Sequence, residues 1–114
     1  GQEYAILTDE ITKAWSGFTT KQYKGFKDLK KENLRDHMTN LELVLNMLAE
    51  ASTTEISMKK EPKTFHENKD VARKGGNVAK AARLQLEKTT GKKVVTKLNA
   101  KNLDNPMLNA SNDD

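Results

Sequence analysis

Chemistry in this chain would have to start from His37 and His66, its only two histidines, and from the carboxylates around them. An imidazole acts as a general base or a metal ligand when other groups converge on it, and neither histidine has a neighbour at metal-binding spacing. His37 fits the end of a helical turn, where the dipole favours a cation. His66 falls in the first turn of a capped helix, where the dipole disfavours one. The acidic pairs Asp9-Glu10 and Asp113-Asp114 read as a helix start and a polar tail, not as two carboxylates aimed at one bond. Lys74-Gly75-Gly76-Asn77 lacks the preceding strand and the Gly-Lys-Ser/Thr ending of a phosphate-binding loop. These residues predict a non-enzymatic protein with no catalytic residue, cofactor, metal or small-molecule substrate.

The cations are arranged more tellingly. Between Lys69 and Lys101 stand ten lysines and arginines opposed only by Asp70 and Glu87. Lys69, Arg73, Lys80 and Arg83 can share one helix face, with Lys92 and Lys93 following, and such a stripe would touch DNA phosphates without reading bases. A solvated helix face explains the same pattern. The aromatic residues Trp15, Phe18, Tyr23, Phe26 and Phe65 are too few and too dispersed for a base-stacking platform and read as core.

The elements that must position these groups follow from caps and periodicity. Thr8 reads as the cap of a first helix with Ile11, Ala14 and Trp15 on one face, ended by Gly17. Thr19 or Thr20 caps a second helix running to Leu29, and a helical turn is expected within Glu32 to His37. Thr39-x-x-Glu42 is a capping box before Leu41, Leu43, Val44, Leu45, Met47 and Leu48, which predicts the core helix. The run Ser52-Thr53-Thr54 has poor helix propensity and is a place for that helix to bend or stop. Pro62 marks a boundary, and a second box, Thr64-x-x-Glu67, opens a last helix closed by Gly91.

On that last helix Val71, Ala72, Gly75, Val78, Ala79, Ala82 and Leu86 share a face. Its small members Ala72, Gly75, Ala79 and Ala82 would admit a close backbone, either from the chain's own core or from a partner, including a second copy. Val94-Val95 has no matching strand. The expectation is an all-α fold, a small bundle of about four helices over residues 1–98, with a polar, flexible tail over 99–114.

With 114 residues, one core is the default. The 35% apolar and 32% charged composition predicts a thin body with much wet surface. No run nears the ~20 apolar residues of a membrane span, and the start lacks the order of a signal peptide. The absence of cysteine fits a reducing compartment, so a soluble cytoplasmic protein is expected. Gly1, with no methionine before it, suggests a piece of a longer protein.

The segment YKGFKDLKKENLRDHMTNLELVLNMLAEASTTEIS, from Tyr23 to Ser57, resembles the C-terminal part of Bro-type phage antirepressor proteins of Bacteroides-like bacteria. More thinly, it is similar to the DNA-damage-inducible protein D group. The pattern is Lys24, Leu29, Lys30, Lys31, Leu34, Asp36, His37 and Met38, then Glu42-Leu43, Asn46, and Thr53 or Thr54 before Glu55. A second block, ARKGGNVAKAARLQLEKTTGKKVV from Ala72 to Val95, looks like the basic helix ending in glycine of the same proteins. Neither pattern is catalytic. The resemblance implies a C-terminal regulatory domain that contacts a repressor, a repair protein or its own copy. The Bro domain thought to bind DNA in that family lies outside this sequence, so nonspecific DNA contact by the basic arm is the alternative.

Overall fold

The computed structural model describes residues 2–99, so the expected tail from residue 100 onward lies outside the described residues. The architecture is all-helical, as expected, with no strand among the described residues. Helix α1 spans Gln2–Ser16, α2 Thr20–Phe26, α3 Asn40–Lys60 and α4 Phe65–Thr90, with a 3₁₀ turn at Leu34–His37.

Local chemistry sets most of the boundaries. Thr19, Thr39 and Thr64 each accept a hydrogen bond from the N–H three residues on, and Gln22, Glu42 and Glu67 reach back to the cap N–H groups. These capping boxes satisfy donors that the first turn of a helix leaves orphaned. At the other ends, Glu61 (φ 50°) closes α3 and Gly91 (φ 73°) closes α4 in the left-handed region.

Four expectations are corrected. Thr8 is not a cap, because residues 2–7 contain no helix breaker and α1 begins about two turns earlier. Asp9, expected in a first turn, instead accepts from the N–H of Thr20 at the start of α2 (3.0 Å). Helix α2 stops at Phe26 rather than Leu29, since Asp28 turns left-handed (φ 61°). Ser52-Thr53-Thr54 does not end α3, which runs on to Lys60. Thr53 and Thr54 donate to the carbonyls of Ala49 and Glu50 (2.8 and 3.1 Å), and packing against α4 overrides their weak propensity.

Helices α3 and α4 form an antiparallel hairpin, and α1 lies along α4 while touching α3. The paired glycines of α4 make this possible. A Cβ on Gly75 would lie 2.6 Å from Thr53 Cα, and one on Gly76 2.7 Å from the Ile11 carbonyl oxygen. Gly75 thus admits α3 and Gly76 admits α1. The core gathers Trp15, Tyr23, Leu29, Leu34, Met38, Leu45, Ala49, Ala79 and Val94, with Phe18 and Leu86 packed at its edge. Trp15 and Tyr23 are fully buried, whereas Phe26 and Phe65 are half-buried.

One result reverses the expected role of α3. Only Leu45, among its large apolar residues, is buried, while Leu41, Val44, Met47 and Leu48 face outward. Inward positions are taken by Glu42, Leu45, Asn46 and Ala49, so the helix carries two apolar stripes and only one meets the core.

Candidate functional site

The sequence marked two groups of residues. Ala72, Gly75 and Ala79 are buried inside the chain's own core and Ala82 packs at its edge. They are not a surface for a partner, because α1 and α3 already occupy the space their small side chains leave.

The basic set is only partly brought together. Lys69, Arg73 and Lys80 recur at intervals of four and seven, so they lie along one outward stripe of α4. Lys69 approaches Glu10 of α1 (3.7 Å), and Arg73 pairs with Asp70, which also holds Lys74 at 3.1 Å. Lys92 and Lys93 are exposed just past Gly91. Arg83 leaves the set: its Nε donates to the Trp15 carbonyl (2.7 Å) and its Nη1 to Glu87 (3.1 Å). Three residues beyond Lys80 the helix has turned toward α1, which makes Arg83 a strut between helices instead of a phosphate contact.

Neither histidine enters a reactive cluster. His37 Nδ1 is hydrogen-bonded to Asn99 Oδ1 (2.7 Å), and His66 is exposed on α4 near Lys60, Pro62 and Glu67. No group of three potential metal ligands occurs among the described residues, and no helix there is long and apolar enough to cross a membrane.

Sequence reasoning missed a buried polar hub. Lys27 Nζ lies 2.7 Å from Glu42 Oε1 with both side chains fully buried. Glu42 also accepts from the Tyr23 hydroxyl, the Thr39 N–H (2.8 Å) and the Thr96 N–H (3.4 Å). Lys27 donates in turn to the carbonyls of Thr96 (2.9 Å) and Leu98. The capping box was the only signal. It identified Glu42 as a cap but could not show that the same carboxylate pins the segment after α4. Beside the hub, Trp15 Nε1 donates to Asn46 (3.0 Å).

Burial and the Glu42 carboxylate push the Tyr23 hydroxyl pKa far above its ordinary value of 10.0. The folded state therefore keeps a proton that the unfolded chain loses. Its contribution to stability is complete below pH 10.0 and declines as pH rises past it. Urea unfolding midpoints should fall between pH 10 and 11 more steeply for the wild type than for Tyr23→Phe; equal slopes would refute this assignment. Glu87 is affected at the acid end: burial opposes its charge, but the Val94 N–H and Arg83 outweigh burial and hold the carboxyl below its usual range.

The surface also carries an apolar row. Leu41 is 41% exposed, Val44 51%, Leu48 38% and Met58 69%, and Ala51 and Glu55 between them are exposed too. These six positions step by three and four along α3, the spacing of a coiled-coil seam. Val78 on α4 is 44% exposed as well. In a chain with 32% charged residues, an exposed helix row with Glu55 as its only charge is an exception. Compared with protein-family models, curated proteins and solved structures, the chain matches none of them.

Proposed function

We propose that this chain is a non-enzymatic regulatory interaction module that works by protein-protein contact through the outward seam of α3. The carrying observation is that seam: apolar, regularly spaced and left uncovered by the chain's own helices. The polar groups best suited to chemistry have structural partners instead. His37 holds Asn99, and Tyr23 and Lys27 hold Glu42. The resemblance of Tyr23 to Ser57 to antirepressor-like proteins supports a cytoplasmic regulator that docks on a repressor, a repair protein or itself. In a reporter for the promoter controlled by the full-length protein, Val44→Asp with Leu48→Asp should abolish regulation while leaving the helical signal unchanged. Unaltered regulation with the doubly substituted chain would refute the reading.

Sequence-independent DNA binding is the second reading, favoured by the exposure of Lys80, Lys92 and Lys93 along one end of α4. It no longer includes Arg83. If this reading holds, a mobility shift on a nonspecific duplex should appear at low salt and weaken as salt rises, because each phosphate neutralised releases counterions. Replacing Lys80, Lys92 and Lys93 by Gln should remove it. No shift at either salt would discard DNA binding and leave protein contact standing.

A further inference from the structure

Helices α1 and α3 both seat on α4 but touch each other more sparsely. Between them, beside the turn Leu34–His37, is a half-enclosed cavity of about 140 Å³. Two of its walls come from residues one helical turn apart, Thr8 and Thr12 on α1 and Asn46 and Glu50 on α3. Ile11, Leu34 and Met38 supply its apolar surface. Threonine and asparagine are short where a leucine or phenylalanine would have filled the gap. The resulting space is close to the ~150 Å³ that accepts a benzene ring.

The cavity has one fixed polar contact. Trp15 Nε1 can only donate, so the Asn46 atom that it meets at 3.0 Å is the side-chain oxygen, and this fixes the orientation of the amide. Asn46 is only 8% exposed, and its Nδ2 has no partner among the described residues. No fully enclosed side-chain nitrogen or oxygen among those residues lacks a partner, so Nδ2 opens onto space, and the cavity is the space that Asn46 lines. A buried amide donor held by a tryptophan and facing a cavity recognises a hydrogen-bond acceptor. The hydroxyls of Thr8 and Thr20 on the same wall can turn either way, so they follow a ligand's polarity and do not set it.

Charge narrows the class further. The ionisable residues on the wall are Arg35 and Glu50, and they satisfy each other through two hydrogen bonds of 2.8 and 3.1 Å. A bidentate pair leaves neither charge for a ligand. A charged ligand group would lose hydration in the half-enclosed space and find no opposite charge to replace it. The site therefore selects a neutral molecule.

We propose that this cavity binds a small neutral ring compound whose carbonyl oxygen accepts from Asn46 Nδ2 while its apolar body rests on Ile11, Leu34 and Met38. The site lies on the inward side of α3, so it stands or falls independently of the contact reading.

Benzamide and benzoate share a shape and differ in charge, which makes them the probes. In heteronuclear NMR spectra of the full chain, benzamide should move the Asn46 side-chain amide signals saturably, with half-saturation on the order of 1 mM. The methyl signals of Ile11 and Leu34 should move with them. Benzoate should bind at least about tenfold more weakly. Thr12→Leu, which extends apolar bulk into the cavity, should abolish the benzamide shifts with the far-ultraviolet helical signal unchanged. If that variant loses its helical signal, Thr8→Leu, one turn earlier on α1, makes the same test. Absence of saturation up to tens of millimolar benzamide overturns the proposal. So does binding that moves the methyl signals but leaves the Asn46 amide in place. Benzoate binding as tight as benzamide overturns the neutral class, and undiminished binding to a folded, filled variant overturns the cavity as the site.

Discussion

Lys27→Met is expected to lower stability by about 3–5 kcal/mol, because it strands the fully buried Glu42 carboxylate. Its remaining donors, the Tyr23 hydroxyl and the N–H groups of Thr39 and Thr96, supply dipoles but no charge. Glu42→Gln strands the ammonium instead, although glutamine still fits the capping box. The double substitution should therefore cost less than the sum of the two, with a coupling on the order of 1–3 kcal/mol. Urea unfolding of the four proteins measures this. Additive single effects, or single effects within about 0.5 kcal/mol of the wild type, would mean that the pair contributes no specific stabilisation.

Gly75→Val should be comparably damaging. Even its first carbon would meet Thr53 Cα at 2.6 Å, a backbone atom that moves only if α3 moves. Overpacking of this kind costs about 1–3 kcal/mol and more where the backbone is rigid. The same carbon on Gly25, inside α2, meets nothing within 4 Å. Gly25→Ala should therefore stabilise by about 0.4–1 kcal/mol through the unfolded state. Thermal melts of the two variants should move in opposite directions. A neutral Gly75→Val would show that the hairpin does not need this close crossing.

The residues that announced the fold act locally. Thr39 with Glu42 and Thr64 with Glu67 needed only four residues each to fix a helix start, and Gly91 fixed a helix end in one. Gly75 and Gly76 signalled a close crossing, although not that each admits a different helix. What the sequence hid is tertiary. Leu45 and Leu48 are indistinguishable as residues, and only the position of α4 decides that one is covered and the other is not. Arg83 follows the basic spacing, yet a small rotation past Lys80 aims it at the Trp15 carbonyl. Lys27 and Glu42 belong to separate elements, so no local pattern could pair them. The basic face was thus partly legible, the proposed contact seam was mistaken for core, and the hub was visible only through its capping role.

The hub also sets an order of events during synthesis. Lys27 and Glu42 are made early, but the Thr96 N–H and the carbonyls of Thr96 and Leu98 that complete their coordination come last among the described residues. A nascent chain still holding residues 96–98 in the ribosomal tunnel carries α1 through α4 with this buried ion pair unsealed. The hub therefore closes after the four helices are made, once residues 96–98 have left the tunnel.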